Sequence, residues 1–171
     1  MAPKCLKNMT EPVLESPKKH SFPIVCNSGL AFVPRLQNKQ VELFLMRCAT
    51  LWQWKWCQVE DSIELDGIKW HVASREVREE ADFVLFELWS GDTCEVFYEP
   101  KKIHCDYAIF FGFLEPHSDV QLKSEYDVFD WLDFDKACTH LVFPDHRHTL
   151  SHIEAELVWR VPDSLLRIQI N

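Results

Sequence analysis

No run of apolar residues in this sequence is long enough to cross a membrane. A spanning helix needs about 18 or more consecutive apolar residues, whereas even the apolar stretch 107–114 is bounded by Asp106 and Glu115. The chain has 171 residues, of which 47% are hydrophobic and 26% are charged. These values are ordinary for a globular domain with its own core. The composition therefore predicts a soluble, folded protein of one domain.

The sequence also lacks an excess of positive charge. It has 18 Lys and Arg residues against 27 Asp and Glu residues, which gives a net charge of −9. A protein of this sign repels nucleic-acid backbones and anionic membranes as a whole. We therefore expect neither duplex nucleic acid nor a membrane as a partner. A phosphate-bearing ligand would need a cation, either a metal ion or a local group of basic side chains.

Paired cysteine motifs are absent as well. The seven cysteines include no C-x-x-C pair. This usage is typical of reduced thiols inside the cell rather than of a disulfide framework or a structural zinc site. The first residues lack the apolar core of a signal peptide, and Glu11 and Glu15 disfavour a transit peptide. We therefore expect a cytoplasmic or nuclear protein.

The N-terminal residues differ in composition from the rest of the chain. Residues 1–27 contain four prolines and the polar run 15–20, a composition that favours an extended arm over a packed element. We interpret 1–27 as a flexible leader, 28–162 as the folded domain and 163–171 as a C-terminal tail.

Hydrophobic periodicity predicts strands on both sides of one central helix. Segments 30–33 and 41–46 are expected to form a hairpin around the polar turn 37–40. The central helix is indicated by apolar residues at helical spacing, Trp70, Ala73, Val77 and Ala81. Further strands are predicted at 83–89, 94–98, 104–113 and 126–132, and two more helices at 133–141 and 144–159. This order favours an α+β sandwich with a mixed central sheet.

The segment 75–80, Arg-Glu-Val-Arg-Glu-Glu, carries the strongest chemical signal. It places Glu76, Glu79 and Glu80 at i, i+3 and i+4 on one side of the predicted helix, beside its apolar stripe. Like charges at this spacing destabilise a helix by about 0.2–0.5 kcal/mol per pair. Mg²⁺ would compensate them, because it binds carboxylate oxygens and keeps exchangeable waters. The alternative is a solvated helix face paired with Arg75 and Arg78.

Three histidines, His146, His148 and His152, lie near the start of the last predicted helix. His148 and His152 have the i, i+4 spacing of a helical metal pair, with Glu156 one turn further on. A polar helix face is the simpler interpretation of the same pattern.

Segment 75–80 resembles the Nudix hydrolase family. The family's box reads G-x5-E-x7-R-E-U-x-E-E-x-G-U, where U is a bulky aliphatic residue. Residues 75–80 match its second half letter for letter, and Phe83 roughly fits its last position. The first box glycine falls on Asp61, the first box glutamate on Gly67 and the second glycine on Asp82. The box is therefore degenerate, although its main acidic half is complete.

Within that family the chain is most similar to the asymmetrical diadenosine tetraphosphate hydrolases. Their landmarks occur in order, with the second strand at 41–46, Trp56 before the box loop, Glu125 ahead of Trp131 and a short helix at 135–138. The resemblance implies a Nudix-like α/β/α sandwich and attack of water on a phosphoanhydride. It also implies Mg²⁺, or Mn²⁺, bound by Glu76, Glu79 and Glu80. Arg75 would orient the helix and, with Glu79, act in catalysis, and Glu125 would be a further metal ligand or a catalytic base.

One departure from those hydrolases concerns charge. Their Pro-Lys-Gly-His run is replaced by the anionic segment 59–62, which would repel a bound polyphosphate. Lys101 and Lys102 are the nearest basic residues that could bind the phosphates, and Tyr98 and Tyr126 could stack on a base. The resemblance thus implies a Mg²⁺-dependent pyrophosphohydrolase acting on a dinucleoside polyphosphate or related nucleoside diphosphate derivative. The alternative is a non-catalytic Nudix-fold module that binds a nucleotide or a protein partner.

Overall fold

The computed structural model describes residues 24–48, 55–62, 68–98, 103–114 and 118–170. The strands are β1 (Ile24–Phe32), β2 (Pro34–Gln37), β3 (Gln40–Cys48), β4 (Trp56–Cys57), β5 (Val59–Ser62), β6 (Leu85–Tyr98), β7 (Ile103–Leu114), β8 (Tyr126–Leu132) and β9 (Arg167–Ile168). The α-helices are α1 (Lys69–Ala81), α2 (Phe134–His140) and α3 (Pro144–Ile153). None of the helices in the described ranges has the length and apolarity needed to cross a membrane.

The strands form two sheets. The larger sheet has the order β5-β1-β7-β6-β9; its β1–β7 pair is parallel and its other pairs are antiparallel. The smaller, antiparallel sheet is built on β3, which pairs with β2, β4 and β8. The larger sheet is therefore mixed, as the sequence predicted.

Alternation of side chains along β1 creates two hydrophobic cores. Leu30 packs in a cluster that includes Phe134 of α2 and Leu150 of α3. Its neighbour Ala31 packs in a second cluster, which includes Val77 of α1. Successive residues of a strand point to opposite faces of the sheet. Helices therefore cover both faces, and the predicted α/β/α sandwich is confirmed.

The predicted hairpin forms around the expected turn but with a different first strand. Its strands are β2 and β3, and the intervening Asn38 and Lys39 have positive φ angles of 51° and 66°. This is the backbone of a two-residue hairpin turn whose twist matches its strands. The prediction that 30–33 is the partner strand is wrong. Residues 30–32 belong to β1, because a continuous apolar run suits an inner strand that is covered on both faces.

Gly29 on β1 allows α1 to lie very close to the sheet. A Cβ atom at Gly29 would stand 2.9 Å from the carbonyl oxygen of Lys69 and 3.3 Å from Cβ of Ala73. Ala73, Val77 and Ala81 are buried along the helix at i, i+4 and i+8, as predicted. The position of α1, and of its glutamates, is therefore fixed directly against the backbone of β1.

The C-terminal part of the described chain contains two helices, as predicted. Asp133 caps α2, because its side chain accepts a hydrogen bond from the backbone N–H of Lys136 at 2.8 Å. Helix α3 has a proline in its first turn and continues as a π-helical turn, Glu154–Val158. The limits of the predicted leader, domain and tail stay predictions. In the structure β1 begins at Ile24, and β9 pairs with β6.

Candidate functional site

The three glutamates of α1 have different environments. Glu76 and Glu80, one turn apart, are buried with 5% of their surface exposed. The side chain of Glu79 is 49% exposed. Backbone N–H groups of the segment before β8 donate hydrogen bonds to the last carbonyl groups of α1, which brings this segment against the acidic end of the helix. The glutamates therefore lie partly within the protein and not only at its surface.

Arg75 neutralises the first of these carboxylates. Its Nε and Nη2 atoms lie 2.9 and 2.8 Å from Oε1 of Glu76. Its Nε atom also lies 3.8 Å from Oε1 of Glu79. Arg75 thus links two carboxylates of the same helix. This contact offsets their mutual repulsion and is the one expected of a helix face paired with its own arginine.

Glu80 is hydrogen-bonded from the neighbouring strand. The Tyr126 hydroxyl donates to Oε1 of Glu80 at 2.7 Å, whereas Oε2 of Glu80 is buried with no hydrogen-bond partner among the described residues. Burial is the main cause that raises the pKa of Glu80 to about 8. The hydrogen bond from Tyr126 opposes this shift, and the nearby charges of Glu76 and Glu125 add to it. Burial also raises the pKa of Tyr126, so its phenol remains a donor at neutral pH.

Lys123 stands between the two exposed carboxylates of this site. Its Nζ atom lies 3.7 Å from Oε2 of Glu79 and 4.0 Å from Oε1 of Glu125. Glu125 therefore approaches the acidic end of α1, and a basic side chain mediates the approach. Lys123 was not among the residues predicted from the sequence. Its position two residues before Glu125 was the available signal, because an intervening cation next to a candidate ligand changes the charge of the site.

Carboxylate oxygens are the ligands that Mg²⁺ and similar hard cations bind. The buried, unpartnered Oε2 of Glu80 is also the kind of atom that a cation would satisfy. The chemistry of the donors thus fits a divalent ion. Within the described ranges, however, no three acidic, histidine or cysteine side chains converge closely enough to hold a metal ion. Arg75, Lys123 and Tyr126 contact these carboxylates instead, and only Oε2 of Glu80 among the Glu80 oxygens is left without a partner in the described ranges.

The second glycine position of the box keeps a glycine-like conformation. Asp82 follows α1 in the left-handed region, with φ 57° and ψ 29°. Its N–H donates to the carbonyl of Arg78 at 3.0 Å, and that of Phe83 donates to Val77 at 3.4 Å. Glycine is favoured at such helix ends, and Asp tolerates the conformation better than most residues. The turn is therefore retained although the glycine is not.

Several predicted site residues lie outside the described part of the chain. These are Lys101, Lys102 and Gly67, together with the side chain of Tyr98 at the end of β6. Their proposed roles in phosphate or base binding stay predictions. Asp61, at the first box glycine, lies in β5 opposite Gly29 of β1.

A buried polar pair lies on the opposite face of the large sheet from α1. Nε2 of Gln58 and Nδ1 of His146 are 2.9 Å apart in a hydrogen bond, and both residues are almost fully buried. The rings of Tyr107 and Phe143 stand edge-on to His146. Burial lowers the pKa of His146 to about 4, so its ring is neutral at pH 7. His146 therefore belongs to the packing of α3 against the strands.

Comparisons by sequence gave no match. No protein-family model matches the chain, and no curated protein matches it. The resemblance to Nudix hydrolases must therefore be tested by structure.

Comparisons by structure gave clear matches. An Ap4A hydrolase of C. elegans, solved as a binary complex, matches with a TM-score of 0.70 at 20% identity and covers 80% of this chain and 100% of its own. The Nudix domain of Shewanella oneidensis NrtR, solved with ADP-ribose, has a TM-score of 0.65 at 12% identity over 82% of this chain and 92% of its own. The dihydroneopterin triphosphate pyrophosphohydrolase of E. coli has a TM-score of 0.61 at 18% identity, over 78% and 96%. This chain therefore has the Nudix hydrolase fold.

Proposed function

We propose that this protein is a metal-dependent pyrophosphohydrolase that cleaves a phosphoanhydride of a dinucleoside polyphosphate or a related nucleoside diphosphate derivative. The observation that carries the proposal is the placement of Glu76, Glu79 and Glu80 at the end of α1 with Glu125 drawn toward them. Structural similarity to proteins named as an Ap4A hydrolase and a triphosphate pyrophosphohydrolase supports the reaction class.

Glu76, Glu79, Glu80 and Glu125 are the residues that would hold Mg²⁺ or Mn²⁺. Such an ion, when bound, neutralises phosphoryl charge and lowers the pKa of a coordinated water. Arg75 holds the Glu76 carboxylate in place through two contacts to one oxygen. Tyr126 orients Glu80 through its hydroxyl group. This contact favours a positioning role for Tyr126 over the base stacking that the sequence suggested.

The proposal requires a basic group for the substrate phosphates, because the net charge is −9. We propose Lys101 and Lys102 for this role, and Tyr98 for stacking on a base. These three residues follow or end β6, whose partner strand β7 is central in the large sheet.

A second candidate function is a non-catalytic Nudix-fold module that binds a nucleotide or a protein partner. The contacts of Lys123 and Tyr126 favour it, since they satisfy carboxylates of the site without any ligand. The changed residues Asp61 and Gly67 of the box also favour it.

Product release separates the two functions. The purified protein would be incubated with dinucleoside polyphosphates, nucleotide sugars and capped RNA in the presence of Mg²⁺ or Mn²⁺. Wild type would be compared with Glu79→Gln and with Glu156→Gln, a control in a surface ion pair with Arg160 on the π-helical turn. We expect turnover in wild type and in the control. In Glu79→Gln it should be about 100-fold slower, because the variant removes a carboxylate that would accept a proton in the reaction.

The same assay can reject the proposal. Absence of turnover in wild type, together with measurable nucleotide binding, would establish the non-catalytic module. Equal turnover in Glu79→Gln and wild type would remove the carboxylate site from the mechanism.

A further inference from the structure

We propose that Lys123 is a built-in counter-ion of the carboxylate site, and that a divalent cation must displace its ammonium group from Glu79 and Glu125 in order to bind. Lys123 would thereby set the metal affinity of the site. This inference rests on the proposed function only in taking these carboxylates as the metal site. It does not depend on the substrate or on turnover.

The backbone places Lys123 at this point. Its N–H donates to the carbonyl of Glu80 at 3.0 Å, and its carbonyl accepts from the N–H of Tyr126 at 3.1 Å. Two residues earlier, the N–H of Gln121 donates to the carbonyl of Ala81 at 3.1 Å. The chain is thus tied to the last turn of α1 on one side and to the start of β8 on the other. The side chain of Lys123 consequently begins next to the acidic residues.

The ammonium group has two carboxylate partners on different elements. Glu79 belongs to α1 and Glu125 precedes β8, and both oxygens lie within 4.0 Å of Nζ. Without a cation between them these two carboxylates would repel each other. Lys123 therefore performs in the protein alone the charge neutralisation that a metal ion would perform in the holoprotein.

The contact is weak enough to be displaced. The three side chains are 41–49% exposed, and ion pairs between side chains this exposed are weak because water screens them. The lysine stem is flexible and can turn toward solvent. A bound divalent ion would nevertheless experience repulsion from any ammonium that remains within a few ångströms. The geometry thus predicts lowered metal affinity and not its loss.

The test is direct measurement of Mn²⁺ binding, by electron paramagnetic resonance of free Mn²⁺ and by calorimetry. Wild type would be compared with Lys123→Met, which keeps the length of the side chain and removes its charge, and with Lys123→Arg, which keeps the charge. Lys136→Met is a matched control, because Lys136 forms a similar surface pair with Asp133 at 2.9 Å, away from the site. Thermal unfolding of each variant would verify that it is folded.

We expect Lys123→Met to bind Mn²⁺ about threefold to fivefold more tightly than wild type, because it removes a positive charge within 4.0 Å of two exposed carboxylates and exposed charge pairs have small effects. Lys123→Arg and Lys136→Met should bind as wild type does. Adding Glu79→Gln to Lys123→Met should cancel the gain. Unchanged or weaker Mn²⁺ binding by folded Lys123→Met would overturn the inference, and so would the absence of Mn²⁺ binding by every variant.

Failure of this inference is distinguishable from failure of the proposed function. Tighter Mn²⁺ binding without hydrolysis would support the role of Lys123 and reject the enzyme. Hydrolysis with unchanged Mn²⁺ affinity in Lys123→Met would support the enzyme and reject the role of Lys123. If Lys123 instead binds substrate phosphate, Lys123→Met would raise KM and leave the Mn²⁺ dissociation constant unchanged, which also overturns the inference.

Discussion

Replacing Gly29 by alanine tests whether the close approach of α1 to β1 positions the acidic site. The new Cβ would stand 2.9 Å from the carbonyl oxygen of Lys69, a backbone atom of the first turn of α1. That oxygen cannot move away without displacing the helix. Helix α1 must therefore shift by a few tenths of an ångström or more, and the shift moves Glu76, Glu79 and Glu80 with it.

Two opposing terms set the expected magnitude. Overpacking of this kind costs about 1–3 kcal/mol, whereas Gly→Ala at an ordinary φ stabilises by about 0.4–1 kcal/mol through the unfolded state. No described glycine has a positive φ, so that gain applies at Gly29. At the midpoints of these two ranges the net loss is about 1.3 kcal/mol. At about 2–4 °C per kcal/mol for a chain of this size, the Tm should fall by about 3–5 °C.

Gly112→Ala is the matched control. Its Cβ would also meet neighbours at 2.8 and 2.9 Å, but these are the terminal Cδ atoms of Leu85. The half-buried side chain of Leu85 can rotate away, so this variant should stay within about 1 kcal/mol of wild type. Urea and thermal unfolding give the two stabilities, and Mn²⁺ binding gives the effect on the site.

The comparison of the two alanine variants tests whether α1 packs directly on the backbone of β1. We expect Gly29→Ala to be less stable than Gly112→Ala and to bind Mn²⁺ more weakly than wild type. Equal stability of the two variants would show that α1 is not seated directly on the backbone of β1.

Two further predictions concern the buried pair of Gln58 and His146 and the C-terminal end of α1. Because the folded pKa of His146 is about 4 and its ordinary value is 6.5, the unfolded state gains the proton first. The neutral His146 ring therefore contributes stability above pH 6.5, and this contribution is lost as the pH falls toward 4. The free energy of unfolding should drop by about 2 kcal/mol between pH 7 and pH 5. An equal drop in His146→Gln would contradict this prediction. Asp82→Gly should raise the free energy of unfolding by about 0.5–1 kcal/mol, because glycine adopts the left-handed φ of 57° without steric cost; a loss of stability in urea unfolding would show that the Asp82 side chain contributes more than its backbone strain costs.

The elements that could be predicted from the sequence have local causes. Helix α1 follows from the spacing of Ala73, Val77 and Ala81, and β8 follows from the aromatic and branched residues of 126–132. The cap of α2 lies three residues from its partner. Such features depend on neighbours within one turn or one strand, so their pattern is visible in the chain. The α/β/α sandwich then follows, because each apolar face needs a covering layer.

The partner of the hairpin and the environment of each glutamate depended on contacts between distant residues. The sequence placed Glu76, Glu79 and Glu80 on one helix, but it did not show that Tyr126, 46 positions away from Glu80, would donate to it. Nor did it show that Lys123 would stand between Glu79 and Glu125. Helical periodicity determines which side chains share a face of α1. Only the packing of the segment before β8 onto that helix determines which carboxylates are buried and which cation neutralises them, because burial and ion pairing are set by the other chain segments that fill the space around a residue.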